Sequence, residues 1–203
     1  MNTEQIKAMQ RRIRMSYAPA NRKDCDDGNW GPLSIAACQA HLRALMPSPN
    51  PWPATDERSL TAFYGAPGDT SRMRLVKVPC DIKIKYIGKE IGKPGCEDDT
   101  IYCHEKVAAS LIRILRAIAK VNPDILLQYY GVYQNRNMRG GSLPSLHARG
   151  AAIDLDAARN GNTTHWPSRA TMPLEVMECF AREGWMPAGA FWHRDAMHFQ
   201  ATR

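Results

Sequence analysis

The stretch Ser145-Leu-His147-Ala-Arg-Gly150-Ala-Ala-Ile-Asp154-Leu-Asp156 constrains this chain more than any other segment. Ile153 and Leu155 alternate with Asp154 and Asp156, so the pattern predicts a strand with one apolar face and one face of carboxylates. His147 stands just ahead of that strand, and Gly150 lets the backbone bend sharply between them. A histidine and an aspartate so spaced can converge on one metal ion. The second piece is Trp192-His193-Arg194-Asp195-Ala196-Met197-His198-Phe199-Gln200. Here Met197 and Phe199 face a core, while His198 and Gln200 face the other way. Pairing the two strands makes His198 a third ligand.

Two imidazoles and one carboxylate leave a fourth tetrahedral position open, which distinguishes a catalytic zinc from a closed structural one. Zinc lowers the pKa of water towards about 7 and polarises a carbonyl, and a nearby carboxylate can take the proton. Asp195, just upstream of His198, is placed to do so. Taken singly, each histidine reads as an ordinary surface or core residue, and Asp156 as a cap or an acceptor behind the ligands. The His-x6-Asp spacing gains its weight from its context and from Asp-x-x-His.

The first 65 residues read as three short helices. Thr3 is expected to cap a segment whose Ile6, Met9 and Ile13 share a face. Asp27-Gly28-Asn29-Trp30-Gly31-Pro32 is a turn followed by proline at a first helical position. Ile35, Cys38, Leu42 and Leu45 then form an apolar stripe. Thr55 is expected to cap the third helix, in which Leu60, Phe63 and Tyr64 face inward and Gly65 ends the element. Residues 66–74 read as a linker. Beyond it, Leu75–Val78 and Ile82–Tyr86 read as strands, and His104–Val121 as the longest helix, with Val107, Leu111, Ile114, Leu115, Ile118 and Val121 on one face. Ile125–Tyr133 reads as a buried strand, and Pro173–Glu183 as a helix closed by Gly184. Strands and helices mix without regular alternation, which argues for an α+β fold.

A net charge of +7 in 203 residues suits nucleic acid or an anionic wall or membrane surface. Without a Lys/Arg cluster or an aromatic RNA-binding motif, nucleic acid is not expected as a partner. No apolar run is long enough to cross a bilayer, so stable membrane insertion is not expected, and Met1–Met15 lacks a signal-like apolar segment. The six cysteines, at 25, 38, 80, 96, 103 and 179, show no C-x-x-C pair and read as thiols of a reducing compartment. A Cys96–Cys103 disulfide is left open.

Ser-x-His-x-x-Gly-x-Ala-x-Asp followed by Asp-x-Met-His-Phe resembles the zinc D-alanyl-D-alanine carboxypeptidases and the related phage L-alanyl-D-glutamate endopeptidases, over roughly residues 75–203. The resemblance implies a hedgehog-like antiparallel sheet with flanking helices, one Zn²⁺ per chain at His147, Asp154 and His198, and Asp195 as general base. It also implies a substrate-steadying arginine before the first ligand, for which Arg136 is the choice and Arg139 the rival. His193 is either a transition-state aid or a solvent-exposed residue. His104 and His165 read as structural, Trp166 and Trp192 as packing. Asp27-Gly28-x-x-Gly31-Pro32-x-Ser34-x-x-Ala37, with Gln10, resembles a three-helix peptidoglycan-binding domain, giving domains at 1–65 and 75–203. The implied protein is a monomeric endolysin acting on bacterial peptidoglycan, made in the host cytoplasm and reaching the wall after release to the periplasm. A D-Ala-D-Ala carboxypeptidase is the alternative, and a non-catalytic zinc-bound module a further one.

Overall fold

The computed structural model describes residues 1–17, 26–90 and 92–203, with the side chains of 14–17 left aside. Cys25 lies outside the described residues. Helix α1 (Thr3–Tyr17) begins one residue after the true cap. The Asn2 Oδ1 accepts from the Gln5 N–H and the Gln5 Oε1 accepts from the Asn2 N–H, each at 2.9 Å. That reciprocal box satisfies two N-terminal donors, so Asn2 takes the place expected of Thr3. Helix α2 (Pro32–Leu45) has proline in its first turn as expected. Helix α3 (Glu57–Tyr64) is capped by Asp56, not Thr55: its carboxylate accepts from the Ser59 N–H at 2.9 Å.

Strand β1 (Met73–Lys77) pairs antiparallel with β2 (Thr100–His104), and α4 (Glu105–Val121) follows, its first turn capped by the His104 imidazole. The stripe Val107, Leu111, Ile114, Leu115 and Ile118 is buried, but Val121 is half exposed, so the buried face stops one turn early. Ile82–Tyr86 does not form a ladder strand. Ile82 and Ile84 are buried, which accounts for the alternation, yet the segment makes only the single parallel bridge Tyr86–Tyr129. A ladder needs an extended partner, and the neighbouring chain is helical there. Asn122-Pro123-Asp124 starts a 3-10 turn (Pro123–Gln128) that buries Ile125 and Leu126, so the strand expected from Ile125 shrinks to β3 (Tyr129–Gly131).

A 3-10 turn (Leu146–Arg149) leads into β4 (Ala152–Leu155), followed by α5 (Ala157–Asn160), α6 (Leu174–Arg182), β5 (Met186–Pro187), α7 (Ala188–Trp192) and β6 (His198–Gln200). The main sheet runs β3-β4-β6-β5, every pair antiparallel. The fold is thus α+β, with small antiparallel sheets and several helices. No helix among the described residues is long and apolar enough to cross a membrane.

One apolar core joins the N-terminal helices to the sheet, from Ile6, Ile13 and Leu42 through Ile114 and Leu115 to Phe180, Trp185 and Phe199. Polar contacts reinforce the junction. Arg12 forks onto Glu178 of α6 at 2.7 and 2.5 Å, and His41 Nε2 lies 2.8 Å from the same carboxylate. The Tyr64 hydroxyl donates to the Ala201 carbonyl at 2.7 Å. Cys38, Cys80, Cys96, Cys103 and Cys179 are free thiols, so Cys96 and Cys103 are not bridged.

Candidate metal centre

Register creates the site. Asp154 of β4 lies directly opposite His198 of β6, flanked by the pairs Ile153–Phe199 and Ala152–Gln200. Period-two geometry then sends Ile153 and Phe199 into the core and the polar pair to the other face. His147 arrives from the 3-10 turn, where its own N–H donates to the Ser145 Oγ cap at 3.3 Å. Gly150 closes that turn in the left-handed region at φ +60°. A Cβ there would lie 2.3 Å from Met73 Cε and 2.8 Å from the His104 nitrogen, so only glycine fits.

The three buried side chains meet at their donor atoms. His147 Nε2, Asp154 Oδ1 and His198 Nδ1 are each 3.1 Å from the other two. Tetrahedral zinc with bonds of about 2.0–2.2 Å separates its ligands by about 3.3 Å, so the triangle suits one such ion. Among the described residues this is the one group of histidine, cysteine and carboxylate donors so gathered.

Proton bookkeeping agrees with the geometry. His147 Nδ1 is 2.6 Å from the Val132 carbonyl. A carbonyl only accepts, so Nδ1 carries the proton and Nε2 offers its lone pair to the triangle. His198 Nε2 faces Gln200 Oε1 at 3.1 Å, and the Gln200 amide is itself oriented by donating to Thr202 Oγ1 at 2.7 Å. His198 therefore presents Nδ1. Burial pushes the Asp154 carboxyl up, but the two imidazoles outweigh it and hold it well below the usual carboxylate range, keeping it anionic.

Asp195 sits in the left-handed region at φ +58°, with its carbonyl accepting the His198 N–H at 2.9 Å. Its Oδ1 is buried and without a hydrogen-bond partner among the described residues. Burial pushes this carboxyl above the ordinary range and the Asp154 charge adds to that, while His198, His147 and Arg139 pull against it. A half-buried carboxylate with a free oxygen and a raised pKa has the properties of a proton acceptor.

The remaining expected residues are placed less centrally. Arg136 donates through Nε to Gln134 Oε1 and through Nη1 to the Asn137 carbonyl, and the Gln134 N–H donates to the His147 carbonyl at 3.1 Å. Arg139 is exposed, and its charge acts on Asp195. His193 is at φ +61° after α7, and its ring has no hydrogen-bond or ion-pair partner among the described residues. Asp156 faces away from the triangle, accepting from Arg159 and Asn160 at 2.8 Å. His104 caps α4 and contacts the Tyr64 carbonyl at 3.1 Å. Trp166 is buried against Trp30. Trp192 stacks on the His198 ring, centroids 5.7 Å apart, and is itself 40% exposed.

A shallow cleft opens beside the triangle, lined by Tyr86, Tyr102, Tyr130, Tyr133, Gln134, His147 and Asp154. Sequence reasoning missed these tyrosines, Gln134 and Gln200. Only Gln200 had a readable signal, its shared strand face with His198.

A protein-family model described as D-alanyl-D-alanine carboxypeptidase matches residues 139–201. That segment contains all three triangle residues and Asp195 and begins after Arg136. No curated protein and no solved structure matches the chain. The match covers less than a third of the chain, and within it the buried His147–Asp154–His198 group could hold a metal ion.

Proposed function

We propose that the protein is a zinc peptidase that cuts peptidoglycan stem peptides between L-alanine and D-glutamate, in the manner of a phage endolysin. The observation that carries this reading is the equilateral donor triangle beside the unpartnered Asp195 carboxylate. His147, Asp154 and His198 would hold one zinc, which supplies Lewis-acid polarisation of the scissile carbonyl and acidifies water. Asp195 takes the proton of the attacking water and returns it to the leaving amine. A hedgehog-like fold, which the β3-β4-β6-β5 sheet accommodates, belongs to the same reading.

Arg136 is assigned to steady a substrate carbonyl, since its tie to Gln134 sets it at the rim of the cleft. Arg139, exposed and within electrostatic reach of Asp195, is the competing assignment. His193, with a ring that is unengaged among the described residues, is assigned to support the transition state. Residues 1–65 are assigned to wall binding and residues 75–203 to catalysis, in a monomer that meets the wall after release from the cytoplasm.

The description of the matching family favours a second reading, D-Ala-D-Ala carboxypeptidase. That activity calls for a cation to clamp the terminal carboxylate of the substrate, because such a charge is costly to desolvate unpaired. Arg136 and Arg139 are each able to supply that cation or to steady a carbonyl, so these residues serve either bond. A purely structural zinc module would have no use for the half-buried Asp195, whose Oδ1 is unpartnered among the described residues.

The test is digestion of purified peptidoglycan with the zinc-loaded chain, followed by mass spectrometry. New L-alanine carboxyl ends and new D-glutamate amino groups, with little free D-alanine, are expected. Stoichiometric D-alanine release with stems otherwise intact would replace the endopeptidase by the carboxypeptidase.

A further inference from the structure

Between the two ligands His147 and Asp154 stands Arg149, one of the largest fully buried side chains in the protein, at 1% exposure. Burying a guanidinium is costly unless its donors are met. Here they are met by one remote element. Nε donates to the Gly65 carbonyl at 3.1 Å, and Nη2 donates to Thr61 Oγ1 at 3.1 Å and to Glu57 Oε1. All three acceptors belong to α3 or its C-terminal cap, more than 80 residues upstream. The remaining group, Nη1, is buried with no partner among the described residues. A leucine or methionine would fill the same space without that cost, so packing alone does not account for the residue.

The turn that Arg149 closes is a poor structure by itself. A four-residue 3-10 turn has weak hydrogen bonds and little intrinsic stability, yet it must aim His147 Nε2 to within tenths of an ångström. Besides the Val132 carbonyl that holds the His147 ring and the Ser145 Oγ cap, its supports are backbone contacts: Gly68 N–H to the Ala148 carbonyl at 2.7 Å, and Gln134 N–H to the His147 carbonyl at 3.1 Å. Arg149 is the only side chain of this turn that ties it to α3 among the described residues. Glu57, at the other end of the tie, is 54% exposed, so the tie is a bridge from the surface of α3 to the metal turn.

We propose that Arg149 is a positioning residue of the metal centre: it clamps the His147 turn onto Glu57, Thr61 and the Gly65 carbonyl, so that α3 sets the aim of a zinc ligand. This rests on the metal reading above, and the test separates the two. Zinc affinity of the full chain is measured by chelator competition, and the Co²⁺-substituted protein by its visible spectrum. The variants are Arg149→Met, Arg149→Lys and the double change Glu57→Gln with Thr61→Val. Tyr64→Phe, which loses the hydrogen bond from α3 to Ala201, is the control for a simple loss of stability.

Wild-type protein that binds no zinc would end the metal reading itself. With wild type binding, Arg149→Met is expected to hold zinc about 10–100-fold more weakly, as losing a group that orients a ligand does, and to shift the Co²⁺ bands. Arg149→Lys should recover part of the affinity through Glu57, and Tyr64→Phe should leave both readouts alone. Wild-type affinity and spectrum in Arg149→Met, or an equal loss in Tyr64→Phe, would overturn the proposal. Should Arg149→Met fail to fold, the double variant decides: several-fold weaker zinc supports the clamp, and unchanged zinc removes it.

Discussion

Asp154 and His198 face each other across an antiparallel strand pair, with Oδ1 and Nδ1 3.1 Å apart. The backbone ladder, not the side chains, fixes that separation, because directly opposed residues keep their Cβ atoms about 4.5–5.5 Å apart. Two of three donors are therefore preset by register, and only His147 depends on a turn. The purified chain should carry one zinc, and alanine at His147, Asp154 or His198 should each abolish it. Full zinc content in any of the three variants, read by elemental analysis, would remove that residue from the ligand set.

The Gln200 amide is expected to matter for metal retention without touching the metal. Gln200→Leu leaves the His198 Nε2–H without its acceptor, freeing the ring to rotate or change tautomer. Losses of about 10–100-fold in zinc affinity are usual for such partners. Chelator competition on the folded variant measures this, and wild-type affinity would mean that the Trp192 stack alone holds the ring.

Asp195→Ala should keep its zinc and its fold, since the carboxylate has an unpartnered oxygen whose removal relieves burial. Turnover should fall by about 10²–10⁴-fold, the usual cost of a lost general base. A zinc-replete variant with near wild-type turnover would hand the role to another group, with His193 the first candidate.

Much of this site could be read from the chain because strand alternation is a local code. Asp154 and His198 each announce their face through apolar neighbours, and Gly150 announces the bend. The Arg149 tie to Glu57 is invisible for the opposite reason: its partners are remote in sequence, and an arginine beside a glycine reads as a surface residue. The same limit explains Ile125–Tyr133, where apolar content was visible but the 3-10 turn imposed by Pro123 was not. Ile82–Tyr86 shows a further gap, since alternation reports burial of one face but not whether a partner strand exists. Thr3 and Thr55 lost their capping roles to Asn2 and Asp56, each one residue away, because adjacent cap formers differ little in propensity.

Glu178 links the N-terminal helices to α6, and its ionisation should leave a mark on acid stability. Burial pushes its carboxyl up, but Arg12 and His41 outweigh that and hold it below the usual range. A depressed folded pKa contributes stability that is fully present above the unfolded value, about 4.3, and is lost as pH falls through the folded value. Glu178→Gln should cost about 2 kcal/mol at neutral pH, less than the roughly 3–5 of a fully buried pair because Arg12 is half exposed. The gap between wild type and variant should narrow as pH drops below about 4, followed by thermal unfolding across pH. A gap independent of pH would mean that packing, not charge, is what the variant removes.

The proposal that residues 1–65 bind the wall makes the last prediction. The Gln10 amide gathers the turn before α2: it donates to Asp27 Oδ1 at 3.0 Å, the Asn29 carbonyl at 2.8 Å and Ser34 Oγ at 3.0 Å, and accepts from the Gly28 N–H at 2.9 Å. Such a pinned turn presents a fixed surface, and a fixed surface loses little entropy on binding. A wall-binding surface would raise the effective concentration of substrate at the metal centre without altering its chemistry. The full-length Asp195→Ala chain, which leaves its substrate intact, should therefore sediment with purified cell walls. Excess soluble muropeptide should occupy the catalytic cleft yet leave most of the protein on the wall, and Gln10→Ala should reduce sedimentation several-fold. Complete release by soluble muropeptide would show that the chain holds the wall through its catalytic cleft alone, and the assignment of residues 1–65 to wall binding would be abandoned.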